Sequence, residues 1–278
     1  MPTTLQSLLE NAAARLGPHP NARRDAELLL LRTLQQNQAW LLTHPEAGLT
    51  PAQLTQFEQW LARRANHEPI QYILGEQEFY GLTFRVTPDV LIPRPETQHL
   101  VEAALARIPR SAPVQIADIG TGSGAIAVAL AHNLPHAQIT ATDTSQAALA
   151  VARENAERHR VASRIHFLES DLLAALPGRR FFAIVSNPPY VAASEILEPQ
   201  VLDYEPHAAL FAGPTGLEIY QRLIPQAWQS LVPAGWLLLE IGHGQQPALA
   251  ELLTGWDEVS FLPDLQGIPR VASARRAI

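Results

Sequence analysis

The chain has 278 residues, and 47% of them are hydrophobic, which is enough for one large α/β core or for such a core beside a smaller helical domain. It contains no cysteine, which excludes disulfide bonds, thiolate zinc sites and cysteine nucleophiles. The formal net charge of -7 repels a phosphate backbone and argues against a general nucleic-acid-binding protein.

Residues 3–67 carry leucine and alanine at helical spacings of three and four, beginning in the segment MPTTLQSLLENAAARLG. That segment has neither the basic start nor the apolar centre of a signal peptide, and no stretch approaches the roughly 18 apolar residues of a membrane span. Thr50 and Pro51 predict a helix start, because threonine caps helices and proline suits the first helical position. These patterns predict a cytoplasmic protein with a helical N-terminal domain over residues 1–72.

The next stretch, EPIQYILGEQEFYGLTFRVTPDVLIPRPET, has aromatic and β-branched residues, glycines at 75 and 81, and no helical period. It predicts a β-hairpin linker over residues 73–92. A rigid loop from Ile92 to Pro95 follows, because its two prolines restrict the backbone.

From residue 114 onward, apolar strand-like runs alternate with helical stretches. The strand-like runs are VQIADIG, AQITATD, RIHFLESD, FAIVSN and GWLLLEIG, and two further strands are predicted around a turn at Gly267. Such alternation predicts a mostly parallel sheet with helices on both faces, in an α/β domain over residues 93–278. Ligands in such sheets bind beyond the carboxyl ends of the strands, so functional residues are expected there.

A glycine-rich segment, DIGTGSGAIAVAL, joins one predicted strand to a helix through Gly120, Gly122 and Gly124. Glycine permits a tight turn and lets a ligand lie against bare backbone, while a helix N-terminus favours a negative group. The next strand ends at Asp143, about 20 residues further on, the spacing at which an acid reaches a ribose diol. The loop and the acid together predict a cofactor that contains adenosine. A tight turn beside a solvated acid is the alternative for the same pattern.

The spacing of the glycines narrows the choice of cofactor. It is G-x-G-x-G rather than the G-x-G-x-x-G of a dinucleotide site, and it lacks the G-K-S/T of a phosphate-binding loop. This pattern favours S-adenosylmethionine, which carries a carboxylate and a ribose but no phosphate. Asp118 and Asp171 lie at the ends of predicted strands at the same edge, and we expect them to contact the methionine amine and the adenine respectively.

The segment FFAIVSNPPY ends a predicted buried strand in Asn187, Pro188, Pro189 and Tyr190. Two prolines end a strand abruptly, because proline cannot donate to the ladder and keeps the preceding residue extended. The Asn187 side-chain oxygen and the Pro188 carbonyl are then two acceptors, which suit the two hydrogens of an NH2 group. Holding both hydrogens aims the nitrogen at an electrophilic methyl group, with Tyr190 as an aromatic wall, so catalysis by positioning is predicted. A strand-ending turn is the alternative for the motif taken alone.

Other polar residues carry weaker functional signals. Arg94 lies between two prolines, and we expect it either to meet the substrate or to pair with Glu96 or Glu205 and fasten the linker. His243 in EIGHGQ has the chemistry to polarise a substrate, but a histidine at a strand end is more often structural or solvated. The ten histidines show no ligand spacing such as H-E-x-x-H, so no metal site is predicted.

With these segments the chain resembles the peptide chain release factor N5-glutamine methyltransferases, a family of class I S-adenosylmethionine-dependent methyltransferases. The resemblance runs nearly end to end, through the helical N-terminal domain and the segments FYGLTFRVTPDVLIPRPET, DIGTGSGAIA, SNPPY, YEPHAALFAGPTGLEIY, EIGHGQ and DLQGIPRV. NPPY is shared with adenine-N6 and other amino methyltransferases, whereas VLIPRPET is far more specific to the release-factor enzymes. The implied fold is a Rossmann-like class I methyltransferase domain with a mostly parallel seven-stranded sheet, preceded by a small helical bundle and a β-hairpin linker.

The resemblance implies methylation of the glutamine in the GGQ motif of bacterial class 1 release factors, by a cytoplasmic monomer that binds neither nucleic acid nor a membrane. The resemblance implies that the cofactor-binding residues are Gly120, Thr121, Gly122, Ser123, Gly124, Asp143, Leu172 and Asn187. Asp171, predicted above from its position at a strand end, is added to this set. The residues implied to hold the substrate glutamine are Asn187, Pro188, Pro189 and Tyr190. Two positions depart from the family pattern. Gln98 replaces a frequent acid, and Leu172 replaces a frequent aromatic residue, so we expect weaker stacking on the adenine.

Three alternatives remain open from the sequence. A ribosomal protein is a second possible source of the substrate glutamine. An adenine-N6 methyltransferase is disfavoured by the acidic charge and the lack of a basic target-recognition domain, and salt-sensitive nucleic-acid binding would revive it. A cofactor-binding module that has lost catalysis and associates with release factors or ribosomes is disfavoured by the intact corner from Asn187 to Tyr190.

Overall fold

The computed structural model describes residues 4–18 and 20–278. The helices are α1 (Leu5–Arg15), α2 (Ala22–Leu34), α3 (Gln38–Thr43), α4 (Pro51–Ala65), α5 (Ile70–Leu74), α6 (Thr97–Arg107), α7 (Ala125–Asn133), α8 (Gln146–Arg158), α9 (Pro199–Leu202), α10 (Glu218–Ser230) and α11 (Gln246–Leu252). The strands are β1 (Glu76–Phe79), β2 (Leu82–Arg85), β3 (Gln115–Ile119), β4 (Gln138–Asp143), β5 (Ile165–Glu169), β6 (Phe181–Ser186), β7 (Val191–Ala192), β8 (Phe211–Gly213), β9 (Leu231–Glu240), β10 (Asp257–Pro263) and β11 (Pro269–Arg275). None of the described helices is long and apolar enough to cross a membrane.

The chain forms two compact units. The first comprises Met1–Gly75 with Glu198–Tyr204, and the second comprises Glu76–Leu197 with Glu205–Ile278. The predicted hairpin is present as the antiparallel pair β1 and β2 in the second unit. The predicted domain boundaries after residues 72 and 92 stay predictions.

The first unit is helical, as predicted, and buries leucines and Phe57 in its core. Helix α4 begins where the sequence indicates: the Thr50 hydroxyl accepts from the Gln53 backbone N–H, the Gln53 side chain accepts from the Thr50 N–H, and Pro51 is the first helical residue. This reciprocal cap satisfies two backbone donors that a helix start otherwise leaves unpaired.

One expectation for the stretch after the helical region was wrong. The segment EPIQYIL was expected to lack helix, but it contains the single-turn helix α5, which ends at Gly75 with φ 76°. Five residues are too few to display a helical period, because one period already takes 3.6 residues. The stop at a left-handed glycine is the usual helix C-terminus.

In the second unit the described strands form a seven-stranded sheet of order β10-β11-β9-β6-β3-β4-β5. The five strands from β9 to β5 pair in parallel, and β11 and β10 add an antiparallel pair at one edge. This confirms the mostly parallel sheet and the two final strands around Gly267, which adopts φ 82°.

Helices cover both faces of this sheet. In β3, Ile116 packs on one face with residues of α6, α7 and α8, while Ala117 and Ile119 pack on the other with residues of α10 and α11. Strands buried on both faces need apolar side chains on both, which explains the continuous apolar runs in the sequence. Both cores leave the carboxyl edge of the strands free for polar residues.

Candidate active site

Four neighbouring strands end in register at the carboxyl edge of the sheet. The residues paired across β4, β3, β6 and β9 are, in order, Thr142, Ile119, Ser186 and Leu239. The residues that follow them are Asp143, Gly120, Asn187 and Glu240. The fold therefore places three predicted site residues, Gly120, Asp143 and Asn187, in one row at this edge and adds Glu240, which was not among the predicted site residues.

The glycine loop contains two kinds of glycine. Gly120 and Gly122 adopt φ 72° and 52°, and a Cβ built on either would meet nothing within 4 Å. Gly124 adopts φ 80°, but its Cβ would lie 3.1 Å from the Cβ of Ala152 in α8. The first two glycines present bare backbone beside open space, whereas the third permits close packing of helix and loop.

Asp143 joins the glycine loop to the start of α8 through its two carboxylate oxygens. Its Oδ2 accepts from the Gly122 N–H at 2.9 Å, and its Oδ1 accepts from the Ser145 N–H at 2.9 Å. Each carboxylate oxygen can accept a further hydrogen bond. The predicted contact with a ribose is compatible with this arrangement and stays a prediction.

Asp118 lies beneath the loop. It is fully buried, and its Oδ2 accepts from the Thr121 hydroxyl at 2.6 Å and from the Ala127 N–H at 3.1 Å. Burial raises the pKa of Asp118 to about 7. The neighbouring Ser123 is buried, and its carbonyl accepts from Asn155 at 2.8 Å. Asp118 thus supports the loop from below, and its predicted contact with the methionine amine stays a prediction.

Asp171 and Leu172 lie beyond the end of β5. The exposed Asp171 carboxylate pairs with Arg222 at 2.5 Å. Leu172 is half-buried, has φ 53°, and accepts at its carbonyl from the Thr142 hydroxyl at 3.3 Å. The structure ties Leu172 to the end of β4, while the Asp171 carboxylate is engaged by Arg222. Adenine contact by these two residues stays a prediction.

The Asn187 side chain is held at one end only. Its Nδ2 donates to the hydroxyl of the buried Thr97, the first residue of α6, at 3.2 Å. Among the described residues, neither Asn187 Oδ1 nor the Pro188 carbonyl has a hydrogen-bond donor. Two acceptors are therefore available, as the sequence argument for an NH2 substrate requires.

The Tyr190 backbone and ring are fixed by close packing. Its hydroxyl donates to Glu240 Oε1 at 3.3 Å, and its carbonyl accepts from Gln245 Nε2 at 3.0 Å. A Cβ at Gly216 would lie 2.5 Å from the Tyr190 carbonyl, and one at Gly242 would lie 3.1 Å from its ring. Burial is the largest cause that raises the pKa of Tyr190 above its ordinary value, so the phenol stays protonated. These contacts make the corner after β6 rigid.

Glu240 is the buried acid of the row. Burial raises the pKa of Glu240 to about 7, and the nearby Thr97 and Tyr190 hydroxyl groups lower it by less. Glu240 Oε2 is buried and has no close hydrogen-bond partner among the described residues. The sequence did carry a signal for this site, since an acid ends the apolar strand GWLLLEIG at the edge where ligands bind.

Arg94 fastens the loop that precedes α6. It pairs with the buried carboxylate of Glu205, which also accepts from the Ile92 N–H at 3.1 Å. This is the second of the two roles expected for Arg94. His243 is exposed, and no cluster of His, Asp or Glu within the described residues is arranged to hold a metal ion.

Comparisons with known proteins cover nearly the whole chain. The family model described as the PrmC N-terminal domain matches residues 7–75, and that of the Methyltransferase small domain matches residues 97–202. The Release factor glutamine methyltransferase of Koribacter versatilis is 45% identical over 98% of this chain and 99% of its own length. That of Geobacter sulfurreducens is 45% identical over 92% of this chain and 90% of its own.

A solved structure shares the fold over part of this chain. It is a 16S rRNA methyltransferase of T. thermophilus in complex with AdoMet and guanosine, with a TM-score of 0.54 and 22% identity. The match covers 72% of this chain and 49% of that chain.

Proposed function

Because this chain belongs to the release factor glutamine methyltransferase family, we propose that it methylates the side-chain amide nitrogen (N5) of the glutamine in the GGQ motif of a peptide chain release factor. The observation that carries the proposal is the pair of unengaged acceptors, Asn187 Oδ1 and the Pro188 carbonyl, beside the glycine loop. We also propose that S-adenosylmethionine is the methyl donor and that the protein acts as a monomer in the cytoplasm.

The residues at the carboxyl edge fit this cofactor. Bare backbone at Gly120 and Gly122 leaves room for a ligand, and the N-terminus of α7 favours its carboxylate. Asp143 keeps acceptor capacity for a ribose diol, and Leu172 offers an apolar surface to the adenine. When bound, S-adenosylmethionine supplies an electrophilic methyl group attached to a sulfonium. A neighbour of the same fold was solved with AdoMet, which supports this assignment.

Asn187 and Pro188 position the substrate amide. A glutamine NH2 has two hydrogens, and Asn187 Oδ1 and the Pro188 carbonyl accept one each. The amide nitrogen is a weak nucleophile because its lone pair is delocalised, so orientation of that lone pair is the main contribution of these residues. Tyr190 covers the amide and helps to exclude water.

The reaction needs no strong base from the protein. An N–C bond forms on the substrate amide as the S–C bond breaks, which leaves a neutral thioether and a protonated N-methyl amide. That cation is very acidic and loses its proton to water.

A transfer assay tests the proposal. Purified release factor, the same factor with the GGQ glutamine replaced by alanine, a ribosomal protein fraction and duplex DNA are each incubated with labelled S-adenosylmethionine. We expect label on the intact factor alone. Label on DNA would show that the enzyme methylates an amino group of a nucleic acid, and would contradict a protein substrate. Label on a ribosomal protein would show that the release factor is not the preferred substrate.

The Asn187→Ala variant tests the mechanism. We expect turnover to fall about 100-fold or more, because both orientation and one acceptor are lost, while cofactor affinity measured by calorimetry changes less than about threefold. His243→Ala, an exposed change near the same edge, serves as the control. An equal loss of turnover and cofactor affinity in Asn187→Ala would show that Asn187 serves mainly the cofactor.

A further inference from the structure

Gln245 joins three separate segments at the carboxyl edge of the sheet. It lies at the start of α11, and its Nε2 donates to the Tyr190 carbonyl at 3.0 Å and to the Gly216 carbonyl at 3.2 Å. Its Oε1 accepts from the Gly242 N–H at 2.9 Å. Carbonyls only accept and an N–H only donates, so these three partners fix which end of the Gln245 amide faces which segment.

Two glycines make room for the Gln245 side chain. A Cβ built on Gly216 would lie 3.0 Å from Gln245 Nε2 and 2.5 Å from the Tyr190 carbonyl. A Cβ built on Gly242 would lie 2.9 Å from Gln245 Oε1. The segments around Gln245 therefore approach it as closely as bare backbone allows, which leaves its amide little freedom to turn.

The corner after β6 has few other attachments. Its two prolines carry no N–H, and among the described residues neither of their carbonyls has a hydrogen-bond donor. The next peptide is held at both ends. Its carbonyl, that of Tyr190, accepts from Gln245, and its N–H, that of Val191, donates to a backbone carbonyl before β8 at 3.0 Å. Because proline fixes φ at two residues in between, anchoring this planar peptide restricts the direction of the Pro188 carbonyl.

We propose that Gln245 is a positioning residue for the methyl transfer, which aims the Pro188 carbonyl at the substrate amide by holding the Tyr190 carbonyl. The inference rests on the proposed function, because it assigns the Pro188 carbonyl to a hydrogen of that amide. Transfer to a weak nucleophile is sensitive to small displacements, so a looser corner slows transfer more than it weakens binding. The partners of Gln245 lie outside the glycine loop, so we expect cofactor binding to change little without them.

Gln245→Glu tests this role with little change in volume. The carboxylate keeps an acceptor for Gly242, but it has no hydrogen for the Tyr190 and Gly216 carbonyls and repels both. We expect kcat to fall about 10- to 100-fold, because the acceptor for the substrate is misdirected. The KM for the release factor and the cofactor Kd by calorimetry should stay within about threefold. Gln246→Glu places the same charge on an exposed side chain one residue away and should keep the wild-type kcat.

Two further variants reach the same contact by other routes. Gln245→Met removes the amide without adding charge and is expected to lose kcat to a similar extent. Gly216→Ala displaces the Tyr190 carbonyl with its new methyl group. In the Gln245→Glu background, Gly216→Ala should lower kcat by less than about threefold more, because the hydrogen bond is already lost. Urea unfolding gives the folded fraction at the assay temperature, and a purely structural contribution leaves kcat per folded molecule unchanged.

The outcomes separate the two proposals. Wild-type protein that does not methylate the release factor overturns the proposed function, whatever the variants do. An active wild type, with Gln245→Glu and Gln245→Met both within about twofold of its kcat per folded molecule, overturns the role of Gln245 alone. A loss of cofactor affinity equal to the loss of kcat overturns that role as well. If Gln245→Glu does not fold, Gln245→Met decides the matter.

Discussion

In the loop after β3, Gly122 and Gly124 require glycine for different structural reasons. All three glycines of this loop have positive φ, which costs an L-residue roughly 1 to 2 kcal/mol. At Gly122 a Cβ has open space on the side where the cofactor is proposed to lie, whereas at Gly124 it meets Ala152 at 3.1 Å. The same substitution should therefore affect binding at one position and stability at the other.

We expect Gly122→Ala to weaken cofactor binding about tenfold or more, with a loss of stability limited to the backbone cost. Gly124→Ala should lose about 1 to 3 kcal/mol beyond that cost, because the added methyl group overpacks the contact with α8. Gly178→Ala is the control, since Gly178 has φ 73° and nothing within 4 Å of its Cβ. Calorimetry with S-adenosylmethionine and urea unfolding measure the two effects. Cofactor binding by Gly122→Ala equal to that of Gly178→Ala would remove the loop from the binding site.

At the scale of elements, helix α8 joins the hairpin to the glycine loop through Asn155. Its Oδ1 accepts from the Arg85 N–H at 2.7 Å, and its Nδ2 donates to the Arg85 carbonyl at 3.0 Å and to the Ser123 carbonyl at 2.8 Å. Asn155 has no exposed surface. One buried amide therefore satisfies three backbone groups from two separate segments.

Asn155→Ala should cost about 3 kcal/mol or more in the free energy of unfolding, because each buried group left unpaired costs roughly 1 to 3 kcal/mol. It should also weaken cofactor binding, since the loop loses its attachment at Ser123. Glu154→Ala, one residue away, breaks the exposed ion pair with Arg85 and is expected to cost less than about 1 kcal/mol. Urea unfolding of the full chain measures both, and similar values for the two variants would contradict the role of Asn155.

Across the whole molecule, the sequence predicted the elements that are long and strongly patterned. The parallel strands and α10 were predictable from apolar runs and helical spacing, but α3 and α5 have only six and five residues and show no period. The residues that follow strands, such as Gly120 and Asn187, were predictable because parallel strands end at one edge. Contacts between residues far apart in the chain were not predictable, because the sequence alone does not give the distances between side chains. Thr97 beneath Asn187 and Arg222 beside Asp171 therefore could not be predicted.

Asp118 and Glu240 are buried near the ends of β3 and β9, and their burial makes the stability of the protein depend on pH. Burial raises the pKa of Asp118 from 3.8 and that of Glu240 from 4.5, each to about 7. A raised folded-state pKa means that the protonated form favours folding, so this stability is fully present below the unfolded pKa. It is lost as pH rises through about 7. The protein with Glu240 ionised is therefore the less stable form.

Glu240→Gln should consequently gain stability relative to wild type as pH rises. The charged and titratable groups that act on Glu240 are Tyr190, Tyr220, Glu96 and Arg270, and all are unchanged in the variant. Between about pH 5.5 and about pH 8.5 we expect the difference in unfolding free energy to grow by about 2 kcal/mol in favour of the variant, at roughly 1.4 kcal/mol per pKa unit. Glu154→Gln, an exposed carboxylate, should show a difference that hardly depends on pH. A flat difference for Glu240→Gln in denaturant unfolding would mean that folded wild-type Glu240 is already ionised throughout this range, and would contradict the prediction.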